Sequence, residues 1–206
     1  MTERDKNNVA VLARFLPHET EHFVWQFIKS NKVNFKISNP RKSKLGDFRP
    51  AIMDKNHRIS VNGNLNKYAF LITTLHEFAH LITWDEYKNK TLPHGKEWKK
   101  NFENLLSPFL TNGTFPEDVS SALSSYIQNP AAASCVDLRL SKSLKRYDHK
   151  PSKILDDIEV GTKFKLPNGM VFEKGQRVRK RYKCLNLHNK RLYFVSSVAE
   201  VEIIDG

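Results

Sequence analysis

Only two cysteines occur in the 206-residue chain, Cys135 and Cys184, and no CxxC pair occurs anywhere. Two thiols so far apart in sequence cannot make a disulfide framework, and a reducing cytosol suits such a chain. Long apolar runs are also missing. The longest apolar-leaning stretch, Tyr68 to Leu75, falls far short of the roughly 18 residues that a transmembrane helix needs. The opening MTERDKNNVA has no apolar h-region, so no secretory signal is expected. Internal repeats and low-complexity tracts are absent as well. What remains is 39% hydrophobic, 27% charged and has a mean hydropathy of −0.55, the composition of a soluble globular protein of one or two domains.

Acidic residues are scarce in one region in particular. Between Arg139 and Arg191 there are 16 Lys/Arg against 5 Asp/Glu, a surplus of 11 in a chain whose total is +12. So lopsided a distribution points to a polyanionic partner for the C-terminal third, against the plainer reading of a solvated basic surface.

The hydrophobic pattern is that of an α+β protein. Leu16-Pro17 opens a helical pattern, with Phe23, Phe27 and Ile28 at helical spacing and Pro17 at a first helical position. Val33, Phe35 and Ile37 alternate with polar residues as in a strand, Arg41 to Pro50 is basic and turn-rich, and Ile59 and Val61 suggest a second strand ended by Asn62-Gly63. From Leu65 to about Tyr87 the period becomes helical, and Leu71, Leu75, Phe78 and Ile82 form one apolar stripe. Further helices are expected from near His94 to Leu106 and after Phe115-Pro116, with Pro116 again at a first helical position. Pro130 to Ser134 reads as a boundary. Short alternating runs after Pro151, with turns at Pro167-Asn168-Gly169 and Lys174-Gly175, predict a small antiparallel β module. The expected organisation is a domain over 1–130, a basic connector over 131–150 and a basic β module over 151–206.

The helix from Leu65 contains His76-Glu77-Phe78-Ala79-His80, an H-E-x-x-H. Histidines four apart on a helix project from one face and can grip one Zn²⁺. Glu77 then stands where its carboxylate can take the proton of a zinc-activated water. With 8 His and 12 Glu in the chain, random order gives about 0.02 such matches. A hydrolytic zinc keeps three protein ligands. His94, in the turn Pro93-His94-Gly95, is the choice for the third, with Glu97 as its rival and Asp85 or Glu86 behind it. His18, His22, His57, His149 and His188 have no comparable setting.

These residues resemble the SprT-like family of zincin metalloproteases, to which Spartan belongs. The resemblance covers about Val33 to Ser107. It includes Lys44-Leu45-Gly46, Asn62 with Leu65, His76 to His80, and His94-Gly95 with Trp98. It implies a zincin-like domain, with the HExxH helix packed on a small sheet. One zinc per chain would be held by His76, His80 and His94, with Glu77 as general base. It also implies DNA-associated or DNA-crosslinked proteins as substrates. Many family members end in a four-cysteine zinc ribbon. Here Cys184 and His188 offer at most half a site, so the C-terminal module is expected to be ribbon-like with its metal ligands largely lost.

Sequence-independent DNA contacts are then expected from Arg139, Lys142, Lys145 and Arg146, and from Arg177, Arg179, Lys180, Arg181 and Lys183. If 177–183 is one strand, alternation sends Arg177, Arg179, Arg181 and Lys183 to one face and Val178 and Tyr182 to the other. A second basic group, Arg41, Lys42, Lys44 and Arg49, would flank the cleft. Trp25, Trp84 and Trp98 could stack on bases but suit a core better. The sequence thus predicts a cytoplasmic, possible nucleoid-associated peptidase with no membrane partner. The alternatives are a non-catalytic zinc-containing nucleic-acid adaptor and an RNA-associated basic protein.

Overall fold

Thr2 starts the first helix. Its hydroxyl accepts from the Asp5 N–H at 3.2 Å, and the Asp5 carboxylate accepts from the Thr2 N–H at 3.0 Å, a reciprocal cap on α1 (Glu3–Ala13). Asp5 also ties α1 to α2 (Glu21–Ser30), accepting from Trp25 Nε1 at 3.1 Å and from Lys29 Nζ at 2.9 Å. The computed structural model describes residues 1–41, 44–51, 56–128, 137–150 and 152–204. They fall into two units, Met1–Ser134 and Cys135–Gly206.

In the first unit, β1 (Asn34–Ser38) pairs in parallel with β3 (Arg58–Asn62), and β3 pairs antiparallel with β2 (Gly46–Arg49). Period-2 alternation puts Ile59 and Val61 in the core and Arg58 and Ser60 on the opposite face. Across that sheet lies α3 (Lys67–Tyr87), capped by Asn66, whose side chain accepts from the Ala69 N–H. Leu71, Leu75 and Phe78 of the expected stripe are fully buried, worth about 1.5–3 kcal/mol each by apolar transfer. Neighbouring faces of the helix are buried too, which makes α3 the central element of this unit. α4 (Lys96–Thr111) packs along α3, and α5 (Glu117–Ile127) packs on α4.

The second unit begins with α6 (Leu138–Lys145), which lies within the stretch read as a connector. There follow β4 (Lys153–Ile154), β5 (Lys163–Lys165), β6 (Val171–Glu173), β7 (Arg177–Val178), β8 (Arg181–Asn186), β9 (Leu192–Ser196) and β10 (Glu200–Ile203). They form one antiparallel sheet in the order β4-β10-β5-β6-β8-β7, with β9 also on β8. Phe164, Phe172, Tyr182, Cys184, Val195 and Val201 fill its core.

Several sequence expectations are corrected. α1 was not anticipated. The helix expected to open at Pro17 begins at Glu21, and Arg41 to Pro50 contains strand β2. The helix after His94 runs to Thr111, and Pro116 caps α5 rather than opening it. The run 177–183 is not one strand. β7 and β8 form a hairpin turning at Arg179-Lys180, with Arg179 at φ 55°, so Arg177 faces Tyr182 and Val178 faces Arg181. The proposed boundary, Pro130 to Ser134, lies outside the described residues.

Candidate metal centre

Helical spacing alone aims His76 and His80 in one direction, and the turn before α4 brings a third imidazole to meet them. His76 Nε2 lies 3.3 Å from His80 Nε2 and 3.1 Å from His94 Nε2. Glu97, Asp85 and Glu86 stay outside this group. Asp85 instead pairs with His57 at 3.2 Å and with Lys88 at 3.3 Å, and Glu86 accepts from Asn101.

Three nitrogens that converge this closely without shared protons repel one another unless a cation sits among them. Zn–N bonds of about 2.0–2.1 Å at tetrahedral angles separate the nitrogens by roughly 3.3 Å, so the donor set fits a zinc ion. Protonation is disfavoured as well. Burial, reinforced by the other two rings, pushes His76 down to about 2, and burial with the charge of His94 pushes His80 down to about 4. Burial also lowers His94. All three are therefore neutral at pH 7, the form that ligates metals. His76 Nδ1 is buried without a hydrogen-bond partner among the described residues.

The supporting geometry is specific. His94 sits at φ 57°, in the left-handed region, where a non-glycine residue costs on the order of 1–2 kcal/mol. The Gly95 N–H donates to the Leu92 carbonyl at 2.9 Å and closes the turn. Trp98 lies beneath the histidines, its ring 4.6 Å from both His76 and His94 and stacked on Phe102. With 1% of its surface exposed, it is a core residue.

Glu77 points to the sheet. Burial pushes its carboxyl up to about 8, and the charge of Asp47 adds to this; Arg41, Lys44 and a hydrogen bond from the Phe48 N–H pull the other way. Gly46 is tight against it: a Cβ there would collide with Oε1 and lie 2.8 Å from Glu77 Cγ and from Thr73 Cγ2. The strand character of β2, with Phe48 on it, is the part of the site that sequence reasoning missed. The alternation Gly-Asp-Phe-Arg was the available signal. A cleft of about 390 Å³ opens beside His80 and His94, walled by Phe48, Trp84 and Leu92.

The expected nucleic-acid contacts fall into three sets. Lys142 bonds Asp156 at 2.7 Å and Asp157 at 2.9 Å, Lys145 bonds Glu200 at 2.6 Å, and Arg177 reaches Asp156 at 3.4 Å. Arg139 and Arg146 sit on α6 and at its C-cap. Arg179, Lys180, Arg181 and Lys183 are exposed on the β7–β8 hairpin, with no carboxylate partner among the described residues. Beside them on β9, Leu192 is 57% and Phe194 56% exposed. Cys184 is buried and His188 exposed, and neither joins a metal-type cluster among the described residues. Arg41 and Arg49 do not flank the cleft, because they share the sheet face turned away from α3. Lys42 lies outside the described residues. No described helix is long and apolar enough to cross a membrane.

A family model, that of the SprT-like family, matches residues 12–119, just over half of the chain, and so contains every residue of this site. No curated protein and no solved structure gives a match.

Proposed function

The chain belongs to the SprT-like family, and on that premise we propose that it is a zinc metalloendopeptidase acting on proteins bound or crosslinked to DNA. The convergence of three neutral imidazoles beside a buried glutamate carries this reading. His76, His80 and His94 would hold the metal. A zinc ion bound there supplies Lewis acidity toward a carbonyl oxygen and toward water. Glu77 would accept and return the proton as general base, in a zincin-like arrangement in which α3 supplies the base and β2 orients it. Its raised pKa, relieved by a neighbouring cation, suits proton transfer near neutral pH. The cleft beside His80 and His94 has room for an extended peptide. A structural zinc needs no base, which favours a peptidase over a non-catalytic adaptor.

The DNA part of the proposal rests on charge. The exposed Arg179, Lys180, Arg181 and Lys183 suit phosphates, and the paired Lys142, Lys145 and Arg177 are assigned to the module's own stability. Sequence-independent binding follows, since phosphate contacts carry no base information. A cytoplasmic, nucleoid-associated location fits such a substrate.

Metal analysis joined to a proteolysis assay tests the whole reading. We expect one zinc per chain, lost in His94→Ala. Glu77→Gln should retain zinc and the fold while hydrolysis falls at least about 100-fold. A DNA-attached substrate should be cut faster than the same protein free, because tethering raises its effective concentration. Full zinc retention in His94→Ala overturns the ligand set, and cleavage that ignores DNA makes the protein a general peptidase.

A further inference from the structure

The outer face of the β1-β3-β2 sheet, turned away from α3, is cationic where a free-standing sheet would avoid it. Lys36 of β1, Arg58 of β3 and Arg49 of β2 line a groove of about 400 Å³ together with Arg41. Among the described residues the only carboxylate lining it is Asp47, already engaged by Lys44 at 2.6 Å and Arg49 at 2.9 Å. Lys36, Arg41 and Arg58 have no carboxylate partner among the described residues. Register makes the arrangement costlier, since Arg49 and Arg58 are directly opposite across β2 and β3, and like charges in that relation destabilise a sheet.

Arg41 is held in place rather than left to wander. Its Nε donates to Asn62 Oδ1 at 2.8 Å and its Nη1 to Ser60 Oγ at 2.9 Å. Asn62 is itself buried, and its Nδ2 donates to the carbonyls of Arg41 and Lys44 at 3.1 Å each. A guanidinium fixed by a buried amide, with neutral partners only, keeps its full charge for a ligand. Among the described residues the rest of the groove offers Asn34, Ser38 and Ser60 as hydrogen-bonding groups and no aromatic ring.

We infer that this face binds the phosphodiester backbone of DNA, as a second contact surface on the unit that holds the metal centre. The inference rests on the DNA-directed reading above. Adjacent strands lie about 4.8 Å apart, so cations on three strands span roughly 10 Å. That spread suits a line of phosphates better than one small anion. With no ring to stack a base, the face would hold duplex DNA without regard to sequence.

The test uses the full chain and a mixed-sequence DNA duplex, with affinity measured over a salt series. Two lost phosphate contacts should reduce the slope of log K against log salt by about 1.8 in Lys36→Ala/Arg58→Ala, at 0.9 per phosphate. The charge-keeping Lys36→Arg/Arg58→Lys should restore the slope, and circular dichroism would check that each variant is folded. An unchanged slope in the alanine variant, with the parent still binding DNA, overturns this inference alone. A parent that does not bind DNA overturns the DNA-directed reading along with it. A polyglutamate peptide that displaces the duplex and loses its own binding in the alanine variant would make the occupant an acidic peptide, and also overturns it.

Discussion

At Gly46 the backbone of β2 approaches the proposed base so closely that hydrogen is the only side chain with room. A methyl group there would move the Glu77 carboxylate without touching a metal ligand. We therefore expect Gly46→Ala to keep its zinc and its fold while kcat drops about 10- to 100-fold, as a misplacement near 1 Å costs in general. KM should change little, because the cleft proposed for the peptide lies beside His80 and His94. Parent turnover in that variant would show that the contact is mere packing. His76, Glu77 and His80 were legible in the sequence because helical spacing is local. The role of Gly46 was not, since it depends on a strand meeting a helix far along the chain. His94 stood between, chosen over Glu97 on its turn alone, and the convergence of the three imidazoles supplies the reason.

Among the elements, the β7–β8 hairpin and α6 share one carboxylate. Burial would raise Asp156, but hydrogen bonds from Lys142 and Tyr182, together with the charges of Lys142 and Arg177, outweigh it and hold the carboxyl below its ordinary 3.8. A carboxyl depressed on folding contributes stability that is present above its unfolded pKa and lost as pH falls through the folded one. Asp156→Asn should therefore destabilise the second unit by about 1–3 kcal/mol near pH 7. In denaturant titrations the gap between variant and parent should close below pH 3.8; a constant gap would mean the loss is steric. The hairpin itself escaped the sequence because its turn is Arg179-Lys180 rather than the Asn-Gly that normally marks one. Unbroken alternation ran straight through it. α1 was missed for a related reason, with Val9 and Leu12 its only buried apolar residues in a polar stretch. α3 was plain because its apolar stripe runs through a long helix.

On the scale of the whole molecule, each unit has a core of its own, and only the first holds the histidine cluster. A metal that binds the folded unit and not the unfolded chain stabilises that unit alone. Chelation should thus lower the melting midpoint of one calorimetric transition and leave the other in place. A single transition that shifts as a whole would mean the units unfold as one. Cys184 turns the second core into a clock. Its thiol is fully buried and burial raises its pKa, so an alkylating reagent can reach it only when β8 leaves the sheet. With Cys135 replaced by serine, the labelling rate counts those openings directly. A ligand resting on the β7–β8 hairpin would slow that count in proportion to its occupancy, whether or not a single peptide bond is ever cut.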